Sequence, residues 1–186
     1  NIEKNFYSNF KVIYPSINLL KKFPKKEKLI IFSGKLNKSK GFPIFAETII
    51  KILNKYKDWS SIVIGDEPRE KYNYIHERLK YLGWIPYEEV LKYFSRSSIT
   101  VVPSNWAEPF GRTSLEAGSR GNAVIISNRG GLPETISSPV ILKEVNSKCI
   151  YDQIHNLIED KKLINRLQID SFKNPLHIIS ENCKII

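Results

Sequence analysis

Short runs of Val, Ile, Leu and Phe, most of them ending in a glycine or a proline, recur along this chain with amphipathic stretches between them. The runs at 29–33, 61–65, 81–85, 99–103 and 122–126 lack polar alternation, so each reads as a strand buried on both faces. A shorter run falls at 140–142, and another, closed by Pro15, at 11–15. Between them, residues 42–56 place Phe45, Ile49, Ile50, Ile52 and Leu53 at helical spacing. Helices are also predicted at 72–80, from Pro86 through Phe94, at 113–120 with Gly121 as the stop, at 148–160, at 161–172 and from 176 onward. Strand and helix alternating in this way predict an α/β fold, a doubly wound parallel sheet of about six strands flanked by helices. In the common strand order 3-2-1-4-5-6, the first and fourth strands are neighbours, and ligands bind beyond their carboxyl ends. The loops arriving there are residues 34–41, Gly-Lys-Leu-Asn-Lys-Ser-Lys-Gly, and residues 104–110, Ser-Asn-Trp-Ala-Glu-Pro-Phe.

The 186 residues, 41% hydrophobic and 26% charged, suit one globular domain with a real core. No apolar run is long enough for a membrane span, and no signal-peptide layout opens the chain. Cys149 and Cys183 lack metal-ligand spacing and read as reduced thiols of a cytoplasmic protein. The chain has no methionine and opens on Asn1, from which we expect a piece of a longer protein. Its net charge of +10 is concentrated partly in Lys21, Lys22, Lys25, Lys26 and Lys28. That cluster is either a solvated surface or a peripheral contact with an anionic membrane at its inner face. No nucleic-acid partner is expected, because no aromatic platform interleaves the basic residues.

The richest chemistry lies between residues 104 and 121. Glu108 falls in a loop, Glu116 about two turns into a helix, and Gly111 at the helix start. A helix N-terminus offers unpaired N–H groups and a positive dipole end, which suit a phosphate. Carboxylates repel phosphate but accept hydrogen bonds from hydroxyls. Hydroxyl-bearing groups on either side of a diphosphate describe a nucleotide-sugar. Lys35 and Lys40, across the crevice, would neutralise its charge; alternatively they belong to a lysine-rich surface loop. Glu116 also has a plain structural reading, an acid near a helix start. Gly130 and Gly131 serve either a turn or close backbone approach to a ligand. Trp84, with Ile85, forms either a wall for a nucleobase or core packing. No metal is expected: His76, His155 and His177 form no ligand set and read as helix residues, and no Asp-x-Asp pattern occurs.

Several segments, in order and spacing, resemble the C-terminal half of retaining glycosyltransferases with two Rossmann-like domains, the GT-B fold, of the "group 1" or family-four type. They are Ile31-Phe32-Ser33-Gly34-Lys35-Leu36 through Lys40-Gly41, Tyr81-Leu82-Gly83-Trp84, Val102-Pro103-Ser104, Glu108-Pro109-Phe110-Gly111, Leu115-Glu116-Ala117 and Gly130-Gly131-Leu132-Pro133-Glu134. The resemblance implies residues 1–28 as interdomain linker and tail of an N-terminal half, 29–175 as the nucleotide-sugar-binding domain, and 176–186 as a C-terminal helix. It implies that Glu108 holds the donor sugar, Glu116 the ribose, and Lys35 and Lys40 the diphosphate, with backbone N–H groups of Gly111 and Arg112. Glu108, Lys35 and Lys40 are the expected catalytic groups; Gly34, Trp84, Ile85, Pro109, Phe110 and Thr113 complete the expected donor contacts. The family usually carries arginine at the position of Lys35, and lysine keeps the charge without the bidentate fork. No cofactor or metal is implied, the donor being the nucleotide-sugar itself. The N-terminal half would carry the acceptor site, so this piece alone is expected to be inactive. Alternatives are half of a nucleotide-sugar epimerase on the same plan, or a basic module for nucleic acid or anionic membrane.

Overall fold

The computed structural model describes residues 15–174. All but Pro15 of the run at 11–15, the helix expected from 176, His177 and Cys183 lie outside the described residues.

The chain runs β1 (Glu27–Ser33), α1 (Phe42–Lys55), β2 (Ser60–Ile64), β3 (Leu79–Tyr81), α2 (Tyr87–Arg96), β4 (Ser97–Val102), α3 (Arg112–Ser119), β5 (Ala123–Ser127), a 3-10 turn (Leu132–Glu134), β6 (Val140–Leu142), α4 (Ser147–Glu159) and α5 (Lys161–Lys173). The six strands form one sheet in the order β3-β2-β1-β4-β5-β6. Every pairing is parallel. Alternate residues of β1 serve opposite faces, as the period of a strand requires. Ile30 and Phe32 join Phe45, Ile49, Ile52, Ile150, Ile154 and Leu157 on one side. Leu29 and Ile31 join Leu91, Phe94, Leu115 and Leu132 on the other. This doubly covered sheet is why the strands read as continuous apolar runs.

Helix starts follow local chemistry. Asn146 caps α4 by accepting from the N–H of Cys149 at 2.7 Å. Asp160 caps α5 by accepting from the N–H groups of Lys162 and Leu163 at 3.0 and 2.9 Å. Asn122, fully buried just before β5, joins α2, α3 and β4. Its Nδ2 donates to the carbonyls of Phe94 (2.7 Å) and Ala117 (2.9 Å), and its Oδ1 accepts from Thr100 Oγ1 (3.2 Å) and from Ser97 Oγ. Every donor and acceptor of the carboxamide is thereby used.

Two expectations need correction. Residues 72–80 are not helical: they run as an irregular segment into β3. Tyr72 and Tyr74 alternate onto Phe42, with ring centroids at 5.5 and 6.2 Å. Arg78 spends its guanidinium on the carbonyls of Leu53, Tyr56 and Trp59, at the end of α1 and just beyond it. These tertiary contacts favour an extended path over the local helical preference. The third strand accordingly sits at Leu79–Tyr81 rather than at 81–85, and His76 lies in that irregular segment rather than on a helix.

The lysine run is not one patch. Lys21, Lys22 and Lys25 are exposed, but Lys28 pairs with Asp58. Lys26 turns inward, donating to the carbonyls of Phe94, Ser95 and Arg120 at 3.2, 3.2 and 2.5 Å. These lie at the carboxyl ends of α2 and α3, where a cation complements the helix dipole. Burial, and secondarily the charge of Arg120, push the pKa of Lys26 down to about 7. Among the described residues no helix is long and apolar enough to cross a membrane.

Candidate functional site

The loops after β1 and β4 meet where the strand order reverses, and they are joined to each other. Asn37, buried in the first loop, accepts from Ser39 Oγ at 2.9 Å and from the N–H of Lys40 at 3.0 Å. The Ser39 carbonyl then accepts from the N–H groups of Asn105 (2.8 Å) and Trp106 (3.1 Å), and Ser104 Oγ lies 3.1 Å from it. Gly41 closes the loop at φ 73°, and a Cβ there would stand 2.0 Å from the Pro103 carbonyl oxygen. Only glycine permits both that dihedral and that approach.

Lys40 thereby projects toward Glu108. Its Nζ lies 2.5 Å from Glu108 Oε1, with the two side chains 31% and 12% exposed. Ser104 Oγ donates to the same oxygen at 2.8 Å. The carboxylate is thus held by one cation and one hydroxyl.

Behind Glu108 lies the double glycine. The N–H of Gly131 donates to the Glu108 carbonyl at 2.8 Å. Gly130 adopts φ 56°, and a Cβ on it would fall 2.1 Å from the Glu108 carbonyl oxygen. The close approach made by these glycines is therefore to the loop carrying Glu108. Ser114 Oγ, 2.7 Å from the Gly111 carbonyl and 2.8 Å from Thr135 Oγ1, ties the start of α3 to the 3-10 turn.

A cavity of about 450 Å³ opens between the two loops. Its wall comprises Pro15, Phe32, Ser33, Gly34, Lys40, Val102, Ser104, Glu108, Pro109, Phe110, Gly111, Arg112 and Thr113. The first turn of α3 forms part of that wall, and its N-cap Gly111 has no side chain to occupy the leading N–H groups. An anion-favouring helix end and a carboxylate therefore border the same space.

Of the residues expected at a donor site, Gly34, Lys40, Glu108, Pro109, Phe110, Gly111, Arg112 and Thr113 line this cavity, while Lys35, Trp84, Ile85 and Glu116 do not. Lys35 is exposed. Trp84 is 81% exposed after β3, and Ile85 packs partly buried against the α2–α3 side of the core. Glu116 is buried one turn further along α3, its Oε1 3.2 Å from a terminal nitrogen of Arg112. The guanidinium of Arg112 also covers the ring of Tyr87 at 5.6 Å. Burial raises the Glu116 pKa, and Arg112, Tyr87 and Arg120 oppose that rise. Sequence reasoning did not single out Asn37, Ser104 or Tyr87. Ser104 lay within a quoted motif, but its bond to Glu108 depends on a turn that spacing does not reveal. Among the described residues no three His, Cys, Asp or Glu side chains converge as a metal site would require.

Sheet order and cavity position together define one Rossmann-like domain of the GT-B architecture. The chain belongs to the glycosyl transferases group 1 family, whose model matches residues 20–173. It is 33% identical over 150 residues to a 41.2 kDa protein in the cps region of Klebsiella pneumoniae, a match covering 73% of this chain and 40% of that protein. The C-terminal domain of LpcC, a glycosyl transferase group 1 family protein from Francisella tularensis, superposes with a TM-score of 0.69 at 30% identity, over 87% of this chain and 93% of that one. HepE from Anabaena, in complex with UDP-glucose, superposes with a TM-score of 0.72 at 18% identity, over 86% of this chain and 47% of that one. The chain spans 40% to 42% of the length of the first three curated relatives it matches.

Proposed function

We propose that this chain is the donor-binding part of a retaining glycosyltransferase, which moves a sugar from a nucleotide diphosphate sugar to an acceptor held by a further domain. The observation that carries this reading is the placement of the Glu108 carboxylate beside the N-terminal turn of α3 on one cavity wall. A diphosphate would lie against the N–H groups of Arg112 and Thr113, with Lys40 adding positive charge. The sugar hydroxyls would donate to Glu108, and the ribose hydroxyls would reach Glu116 past the Arg112 side chain. Fixed charge and oriented N–H groups would then stabilise the leaving diphosphate, with no cofactor or metal in the scheme. HepE, a protein of the same fold, has been captured with UDP-glucose, which supports a uridine donor as the first to test. The likeness to a protein of a cps region supports a role in cell-envelope polysaccharide or glycolipid synthesis. Calorimetric titration of the chain with UDP, GDP and their glucose conjugates tests the reading. Binding at sub-millimolar dissociation constant is expected for at least one conjugate; none at millimolar concentration, with the fold intact by circular dichroism, would remove it.

A further inference from the structure

Within that reading, we propose that Asn37 is a positioning residue: its side chain fixes the Lys40 ammonium on Glu108 and so presets the pair that meets the donor.

Three contacts converge on the Asn37 carboxamide. Oδ1 accepts from Ser39 Oγ (2.9 Å) and from the N–H of Lys40 (3.0 Å). Nδ2 faces Glu67 Oε2 at 3.4 Å. The Asn37 backbone carbonyl also accepts from the N–H of Phe42 at 3.1 Å, so one residue closes residues 37–42 from both ends. Glu67 is itself held. Its carboxylate, 4% exposed, accepts Arg69 Nε at 2.7 Å and a terminal nitrogen of Arg69 at 2.9 Å. The loop after β2 therefore buttresses the loop after β1, and Glu67 leaves Asn37 one orientation in which Oδ1 points to Lys40. A carboxamide is required for this arrangement, because one end must accept two hydrogen bonds while the other donates to a carboxylate.

The consequence for Lys40 is entropic. A lysine on a free loop loses backbone and rotamer freedom when it meets an anion. Here the Lys40 backbone is already fixed by Asn37, and the Ser39 carbonyl is fixed by two backbone N–H donors from the loop that carries Glu108. Asn37 does not itself line the cavity, and the wall residue its side chain bonds is Lys40, so its influence on a donor passes through Lys40.

The test is a double-mutant cycle read by calorimetric binding of UDP-glucose to the chain. Asn37→Ala is expected to weaken binding about tenfold, the size of one or two lost hydrogen bonds. In a Lys40→Ala background the same substitution is expected to change affinity less than about twofold. Asn37→Asp combined with Glu67→Gln restores the acceptor for Lys40 without opposing carboxylates, and is expected to recover affinity to within about threefold of the parent. Wild-type affinity in Asn37→Ala, or an equal loss with and without Lys40, would overturn the proposal. If another conjugate binds in place of UDP-glucose, the cycle is read with that one. If the wild type binds none of UDP, GDP and their glucose conjugates, the donor reading is what fails. The positioning role is then decided without ligand, by a crystal structure of Asn37→Ala. Separation of Lys40 Nζ and Glu108 beyond hydrogen-bond distance supports it, and an unchanged contact overturns it.

Discussion

Lys40 Nζ stands 2.5 Å from Glu108 Oε1, across the seam between the loops that follow the two central strands. One residue was expected to hold phosphate and the other sugar hydroxyls, yet each satisfies the other. In the proposed reading, the pair places a cation where leaving-group charge would develop. In that reading, a donor that binds here loosens or shares this contact.

Replacement of Glu108 by alanine should therefore separate nucleotide from nucleotide-sugar. Losing one or two hydrogen bonds to a charged acceptor costs about 1.5–3 kcal/mol, or roughly 10- to 150-fold in affinity. That loss is expected for UDP-glucose, while UDP, freed from competition for Lys40, should bind as well or better. Calorimetry on both ligands checks the split.

Gly130→Ala tests the backing of Glu108. The new Cβ would meet the Glu108 carbonyl oxygen at 2.1 Å in a backbone conformation, φ 56°, that alanine rarely adopts. Strain and overpacking together are expected to cost about 2–4 kcal/mol in chemical denaturation. Because the clash bears on the peptide of Glu108, donor binding should fall along with stability.

Glu116 predicts a pH dependence. Burial raises its folded-state pKa above 4.5, so between that value and the folded pKa the folded chain binds more protons than the unfolded one. Stability then falls as pH rises through the window, and Glu116→Gln should abolish this slope. Ligand affinity should move the other way. A ribose needs the ionised carboxylate, so binding is expected to weaken as pH drops through the raised pKa, and not in Glu116→Gln. Arg112, 3.2 Å away, limits the shift, and Arg112→Ala should widen the window.

Asn122→Ala should be among the most destabilising polar substitutions in the chain. It leaves the carbonyls of Phe94 and Ala117 and the hydroxyls of Ser97 and Thr100 without their partner in a fully buried site. A loss of about 3–5 kcal/mol is expected in urea denaturation, with little change in the cavity itself.

The fold was legible because strands buried on both faces carry continuous Val and Ile runs, and because parallel strands admit few connections. Glu108, Gly111 and Lys40 were legible for a related reason: loops at the switch point can be assigned before any side chain is placed. What sequence hid depends on tertiary contact. The aromatic alternation of Tyr72 and Tyr74 was overlooked beneath a helical spacing, because its partner Phe42 is 30 residues away. The inward turn of Lys26 depends on carbonyls from two helix ends, and no charge count reveals it. Asn37 lay within a quoted segment, but its contact with Glu67, on another loop, is not visible in spacing.

The most direct test of the donor reading is a crystal of the chain soaked with UDP-glucose. The account predicts the diphosphate against the N–H groups of Arg112 and Thr113, and sugar hydroxyls within about 2.6–3.2 Å of the Glu108 carboxylate. A nucleotide-sugar bound elsewhere, with the Lys40–Glu108 contact untouched and the cavity beside α3 vacant, would contradict it.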